Sequence, residues 1–425
     1  MHAFSPKLLI VADDLSGAAD CAIPFVAAGL KTWVALTDTP TALPADVLAL
    51  DADTRGLPAA EAAARTAALL RRHGQPGSLW FKKFDSTLRG NIGAELAAML
   101  VVQRDWAPES FALVAPAFPA MGRQTRGGRQ YLHNVPVECT DIWQREGLKG
   151  RADMPELISQ AGLRATSLPL AAIRAGQTSL TADLTAAGLA YDAVVCDAET
   201  DTDLHAIAQA AAAHARPLLW AGSAGLARAL PHATGLARGA SPRLPSPLAH
   251  GPILFVVGSM SDISHEQIRH LTKAGDVYQL TIPPSLLRAA APADWQTARN
   301  ELAACLSAGQ DMVVRLGMDA ALNINEGRIF SQMLAALVAP FVSRFGGLVA
   351  TGGETARAVL TACGMNALRL VGEIEPGVPY AITTDETGNA HGLNLITKAG
   401  AFGTPETLSR CRAVLRHPTR LDGII

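Results

Sequence analysis

Short runs of apolar residues recur along the chain, and most end in acidic, small or glycine residues before an alanine-rich stretch with helical spacing. In the first half these runs are "KLLIVADD", "TWVALT", "VLALDADT", "SLWFKKFD", "FALVAPA", "AVVCDAE" and "PLLWAGS". In the second half they are "PILFVVGS", "DVYQLTI", "MVVRLG", "GLVATGG" and "LNLITKAG". Each run is short enough for a strand. Strand and helix in alternation predict mostly parallel sheets covered by helices, because parallel neighbours need a crossover between them. One helix is predicted over Ala59 to His73, with Arg71 and Arg72 in its last turn and Gly74 at its stop.

Between the halves, "HATGLARGASPRLPSPLAHGP" (His232 to Pro252) is rich in Pro, Gly and Ser and has no sustained period. Repeated prolines prevent regular pairing, so this is the predicted linker, with the boundary near residue 245 and domains over 1–240 and 250–425. A hinge between closing domains is expected at 240–252. The length of 425 residues also favours two cores over one.

Composition narrows the class further. Hydrophobic residues make up 49% and charged ones 17%, which argues for packed domains rather than disorder. A formal net charge of -2 supplies no positive field for a polyphosphate backbone, so nucleic acid is not expected as a partner. Cysteines at 21, 139, 196, 305, 363 and 411 form no C-x-x-C pair and read as reduced core thiols. No apolar run is long enough for a signal peptide or a membrane span, so a cytoplasmic protein without membrane contact is expected. A homo-oligomer is compatible with all of this.

In open α/β sheets ligands bind outside the carboxyl ends of the strands, so the informative residues are those just after each run. The first run delivers Asp13 and Asp14 into "ADDLSGAAD", where Asp14 or Ser16 caps a helix and Asp13 is left at the strand end for ligand hydroxyls. The third offers Asp51, Asp53 and Arg55; an arginine here is either a solvated loop residue or a planar fork for a carboxylate. In "KKFDSTLRGN", Lys82, Lys83 and Arg89 bring positive charge, Ser86 and Thr87 bring hydroxyls, and Gly90 allows close backbone approach. Asp85 there orients a basic group or accepts a proton. A capping network would need less polarity than this. "APAFPAMGRQTRGGRQYL" adds Arg123, Arg126 and Arg129, which alone would pass for solvated surface. Together these loops suggest a pocket for a small anionic, polyhydroxylated molecule. The second half instead brings glycine and hydroxyl residues to its strand ends, in "VVGSMSDIS", "ATGGETA" and "TKAGAFGT". Tight turns explain any one of them; three in one domain point to phosphate-binding backbone N–H groups and a nucleotide.

P-loop, dinucleotide-fold, protein-kinase and H-E-x-x-H signatures are absent. With its motifs "ADDLSGAAD", "DTR", "KKFDSTLRGN", "APAFPAMGR", "VVGSMS", "ATGGETA", "GEIEPGVP" and "TKAGAFG" in this order, the chain resembles the four-carbon acid sugar kinase family. Members of that family phosphorylate threonate, erythronate or 3-oxo-tetronate, and the chain is most similar to those that act on D-threonate. The resemblance covers nearly the whole chain; Ser16 stands where the family more often has Thr, which keeps the hydroxyl. It implies an α/β fold of two domains, each with a mostly parallel sheet flanked by helices: an acid-sugar-binding domain, an ATP-binding domain and an active site in the cleft between them. Substrate contacts are implied for Asp13, Asp14, Arg55, Lys82, Lys83, Asp85, Ser86, Thr87 and Arg89. Nucleotide contacts are implied for Gly258, Ser259, Gly352, Gly353, Glu354, Thr355, Lys398 and Gly400.

Phosphoryl transfer asks mainly for positioning and charge neutralisation. The expected chemistry has Arg55 with Lys83 or Arg89 holding the substrate carboxylate, Asp14 or Asp85 as the base at the C4 hydroxyl, Asp14 preferred, and Mg2+ bridging the ATP phosphates. Two rivals have sequence support. "LDADTR" imitates the D-x-D-x-T motif of haloacid-dehalogenase phosphatases, although that motif normally opens the fold's first strand. A two-domain solute-binding protein also closes on small acids, and tight acid binding without ATP turnover would mark one.

Overall fold

The computed structural model describes residues 6–36, 43–239, 251–289, 295–317, 326–384, 390–400 and 402–417. In chain order the strands of the first half are β1 (Leu8–Ala12), β2 (Thr32–Leu36), β3 (Val47–Asp51), β4 (Leu79–Lys83), β5 (Phe111–Ala115), β6 (Arg123–Arg126), β7 (Arg129–Leu132), β8 (Val135–Pro136), β9 (Ala165–Leu168), β10 (Ala193–Cys196) and β11 (Leu218–Gly222). Those of the second half are β12 (Ile253–Val257), β13 (Val277–Ile282), β14 (Asp311–Leu316), β15 (Gly347–Thr351), β16 (Ala367–Glu373), β17 (Pro379–Thr384) and β18 (Ala390–Lys398). Every predicted run forms a strand. Packing divides the chain into two units, Met1–Thr32 with Pro44–Ser241, and Trp33–Leu43 with Pro242–Ile425.

In the first unit the sheet order is β3-β1-β4-β11-β5-β10-β9, and every pairing among these strands is parallel. All residues of β1, β3, β5 and β11 are buried, as uniform apolar runs demand when helices cover both faces. The predicted helix spans Ala59–His73, with Gly74 extended at its end rather than left-handed. A separate antiparallel sheet, β6-β7-β8, grows out of the arginine-rich segment that was expected to be loop. Glycines 127 and 128, both at positive φ, make the hairpin turn between β6 and β7.

The second unit has the order β13-β14-β12-β15-β18-β17-β16-β2. Its first five strands are parallel, while β17, β16 and β2 complete the sheet antiparallel. β2 comes from a stretch that the sequence reading ran within a continuous 1–240 domain, yet Trp33, Val34 and Ala35 pair with Arg369, Leu368 and Ala367. An apolar strand pairs with whichever sheet edge offers free backbone groups, and nothing local in "TWVALT" names that edge.

Of the predicted linker, His232 and Ala233 end a helix, and Arg238 is fixed to the first unit through Ala28 O and Asp46. Apart from Gly251 and Pro252, the expected hinge lies outside the described residues. Cysteines 21, 196, 305 and 411 are core thiols as expected, but Cys139 is exposed because it sits in a short surface turn. Among the described residues no helix is long and apolar enough to cross a membrane.

Candidate active site

β1 lies between β3 and β4 with Ala12 level with both Asp51 and Lys83, so the residues that follow these three strands leave the sheet side by side. Asp14 is extended (φ -148°, ψ 163°) and caps the Leu15–Ala27 helix by accepting from Gly17 N at 2.8 Å. Arg55 bridges the two aspartates: Nε donates to Asp13 Oδ2 at 2.7 Å and Nη1 to Asp14 Oδ2 at 2.8 Å. Burial pushes the Asp13 carboxyl up, but Arg55, Lys83 and Lys82 outweigh it and hold the group below its ordinary value. Two N–H groups of the supposed carboxylate fork are thus already committed within the protein.

The β4 loop folds over this pair. Gly90 adopts φ 87°, and a Cβ there would lie 3.3 Å from Asp13 Oδ2 and 3.7 Å from Arg55 Cα. Asn91 Nδ2 donates to Thr54 O at 3.2 Å and to Leu57 O at 2.8 Å, which ties this loop to the one after β3. Asp53 (φ 49°) and Leu88 (φ 62°) are left-handed without being glycines, one in each loop, a strain that functional loops often hold. Asp85 accepts from Arg89 Nε at 2.7 Å and from the Thr87 hydroxyl. Burial raises its carboxyl, but Arg89, Arg55 and these hydrogen bonds bring it well below the carboxylate range. Ser86 and Thr87 are both buried.

The two lysines part company. Adjacent residues of a strand point to opposite faces, and Lys83 lies over the start of the first helix, where a Cβ on Gly17 would meet its Nζ at 2.8 Å. Lys82 faces the other way and forms an ion pair with Glu95 of the Ile92–Arg104 helix, the side chains 0% and 1% exposed. This corrects the expectation of a substrate contact at Lys82: its ammonium is spent in the core. Lys82→Met should therefore destabilise the protein by about 3 kcal/mol, since it leaves Glu95 charged and buried without its partner, and pairing it with Glu95→Leu should recover most of that loss. Thermal melts check this, and an unchanged acid KM in the folded variant should accompany it.

The three arginines of the following segment also separate. Arg126 pairs with Glu199 and hydrogen-bonds Gln124 and Asn134, and Arg129 pairs with Glu138. Only Arg123 stays by the site, where burial lowers its pKa while Asp85 and Asp20 oppose and Arg89 adds to the lowering. Asp20 closes the "ADDLSGAAD" motif without a role of its own in the sequence, because one acidic residue on a helix carries no local signal. Asp51, which opens the phosphatase-like "DADTR", is buried and accepts from Asp53 N at 2.9 Å, closing its own turn rather than presenting a nucleophile.

In the second unit β12, β15 and β18 end level, Val257 beside Thr351 and Thr351 beside Lys398. Gly258 packs so tightly on Thr355 that any Cβ would collide with its hydroxyl, which itself lies 3.1 Å from Ser331 Oγ. Gly352 takes φ 99° just before the Gly353–Ala362 helix, whose first turn holds Glu354. Gly400 lies against Ser259, and a Cβ would come within 2.9 Å of the serine Cβ. Ser261 caps the Asp262–Thr272 helix, and its hydroxyl and that of Ser264 each reach Gly400 O at 2.9 Å. Lys398, 1% exposed, is spent on carbonyls: Nζ donates to Ala399 O at 2.9 Å, Gly400 O at 3.0 Å and Phe402 O at 3.0 Å. An ammonium has three protons, so this lysine builds the loop and is not a direct phosphate contact.

A family model described as a sugar-binding N-terminal domain matches residues 8–230, and one described as a nucleotide-binding C-terminal domain matches residues 254–408. The chain is 46% identical to D-threonate kinase of Cupriavidus necator over 94% of its length and 96% of that protein. It is 33% identical to D-threonate kinase of Bordetella bronchiseptica over 97% and 98%, and 29% identical to a 3-oxo-tetronate kinase of Cupriavidus necator over 95% and 96%. A solved structure from Salmonella typhimurium LT2 shares the fold, with a TM-score of 0.78 at 22% identity over 95% of this chain and 98% of the other. The chain belongs to the four-carbon acid sugar kinase family.

Proposed function

We propose that this protein is an ATP-dependent kinase that phosphorylates the C4 hydroxyl of D-threonate, giving 4-phospho-D-threonate. The observation that carries the substrate is the 46% identity, over 94% of the chain, to D-threonate kinase of Cupriavidus necator. Identity falls to 29% against the 3-oxo-tetronate kinase of Cupriavidus necator and the D-erythronate kinase of Heliobacterium modesticaldum, which makes these acids the second reading.

In this reading the first unit binds the acid and the second the nucleotide. Asp14 is the base: its side chain is 22% exposed, against 2% for Asp13, and Asp85 is held strongly ionised by Arg89 and so has little appetite for a proton. Arg55 acts chiefly as the strut that holds both aspartates, and recognition of the substrate carboxylate shifts toward Lys83, with Arg89, whose Nε is held by Asp85 and whose Nη1 reaches Glu146 at 3.4 Å, adding its remaining Nη2. At the ends of β12, β15 and β18, Ser259, Gly353 to Thr355 and Gly400 offer backbone N–H groups and hydroxyls to the phosphates, while Gly352, whose own N donates to Lys398 O at 2.8 Å, leaves room for their approach. Among the described residues no group of three His, Cys, Asp or Glu side chains is placed to hold a metal ion. Mg2+ would therefore come with the ATP phosphates, where it needs few protein ligands and neutralises charge on the transferred group.

The test is ATP consumption with D- and L-threonate, D- and L-erythronate and 3-oxo-tetronates. D-threonate should give the highest kcat/KM by at least about tenfold, a gap of some 1.4 kcal/mol in transition-state binding. A higher value for another four-carbon acid would move the substrate within the family, and acid binding without ATP turnover would remove the kinase reading.

A further inference from the structure

The β6–β7 hairpin contributes one side chain that no sequence motif singled out. Gln130 is fully buried, and its amide makes contacts with three separate segments. Oε1 accepts from Thr125 Oγ1 at 2.8 Å, while Nε2 donates to Ser86 O at 2.9 Å and to Pro116 O at 3.3 Å. Its backbone N donates to Ala152 O at 2.8 Å, so the residue that holds the others is itself anchored. The two carbonyls settle the amide's orientation: they can only accept, so the NH2 group faces Ser86 O and Pro116 O, and Oε1 is left to accept from the hydroxyl of Thr125, also fully buried.

We infer that Gln130 is a positioning residue for the acid-binding loop, fixing the Ser86–Thr87 peptide so that its N–H faces the substrate side; this rests on the kinase reading above. A trans peptide carries its C=O and N–H in opposite directions. With Ser86 O drawn onto Gln130, the Thr87 N–H points away from the hairpin. The same peptide leads into the turn in which Leu88 N bonds Asp85 O at 2.9 Å and the Thr87 hydroxyl donates to Asp85. Without the amide, Ser86 O would lose its buried donor, and the Asp85–Arg89 turn would gain freedom where the acid must be held. Gln130 touches neither reactant; it acts through Ser86.

The experiment compares full-length wild type, Gln130→Leu and Gln130→Glu in steady-state kinetics with ATP and D-threonate, or the acid the panel prefers, with melts to confirm folding. Both variants should raise the KM for the acid about tenfold or more and leave that for ATP within twofold, as expected when the buried hydrogen bond that holds the Ser86 carbonyl is lost. Gln130→Glu carries a further signature. Its carboxylate would repel the Ser86 and Pro116 carbonyls, but once protonated it donates again, so its acid KM should recover toward wild type as pH falls, while that of Gln130→Leu should not. A role confined to stability would lower the active fraction and leave both KM values unchanged. Thr125→Val, which removes only the hydroxyl that donates to the amide oxygen, should give a smaller rise in acid KM and serves if the Gln130 variants fail to fold. Unchanged acid KM in the folded variants overturns the inference; a wild type inactive on every acid overturns the kinase reading beneath it.

Discussion

Asp14→Asn should lower kcat by about 100- to 10,000-fold while both KM values stay within a few-fold, the loss expected when a positioned base is removed. The substitution is clean because the capping acceptor survives. Asparagine keeps an oxygen for Gly17 N, now 2.8 Å from Asp14 Oδ1, so the Leu15–Ala27 helix should start as before. It gives up the charge opposite Arg55 Nη1, but Arg55 remains bound to Asp13 through Nε at 2.7 Å. A melting temperature near that of wild type should therefore accompany the loss of turnover. Arg55→Ala is the companion. It strips the counter-charge from both aspartates at once, and Asp13, freed of the largest influence that opposes its burial, should take up protons more readily. That variant should lose kcat as well as acid affinity, whereas an arginine that only clamped the substrate would chiefly raise the acid KM. A kcat for Asp14→Asn within a few-fold of wild type would move the base elsewhere.

Lys398→Met should raise the KM for ATP by about 100-fold with the acid KM unchanged. Each carbonyl keeps another donor, Ala399 O from Phe402 N, Gly400 O from the Ser261 and Ser264 hydroxyls and Phe402 O from Gln267 Nε2, but the one charged group that gathers all three is lost. A hydrogen bond to a charged group is worth about 1.5–3 kcal/mol, and every 1.4 kcal/mol that reaches binding is tenfold. The carbonyls in question form the turn that sets Gly400 against Ser259. Calorimetry with a non-hydrolysable ATP analogue and with D-threonate separately checks the split; equal loss of both affinities would mean general unfolding. Burial also brings the Lys398 ammonium down to about 8 from 10.5, with Cys411 and Glu375 facing it and opposing the shift. Cys411 is itself pushed up to about 12 and stays neutral over this range. Above about pH 8 the neutral amine has two N–H groups and a lone pair for three carbonyls, so ATP affinity in the wild type should decline. Stability should move the other way. Between about 8 and 10.5 the unfolded chain holds a proton that the folded chain has released, so unfolding free energy gains with pH across that window. Opposite trends in ATP affinity and stability would identify this lysine; parallel trends would exclude it.

Much of the architecture was legible in the bare chain because its signals are local. Uniform apolar runs of strand length mark buried parallel strands, and the residues after them, Asp13, Asp14, Arg55 and the Lys82 to Arg89 stretch, leave the sheet at its carboxyl edge wherever the strands lie. The glycines at 258, 352 and 400 were equally visible, since only glycine admits the close contacts and the positive φ found there. What each charged group pairs with was not legible. Strand alternation separates Lys82 from Lys83, but that Glu95 waits for the first and the start of a helix for the second depends on which helices cover which face. Arg55 read as a substrate fork and is a strut between aspartates; Lys398 read as a phosphate contact and is a clamp on carbonyls. β2 joined the second unit, and Gln130 reached Ser86 from a hairpin far along the chain. Periodicity and turn chemistry are written between neighbours a few residues apart, whereas an ion pair or a buried amide is settled by where distant segments meet. The sequence by itself determined the strands and which residues stand at their ends, and only the tertiary structure decided which of those residues are consumed in holding the others in place.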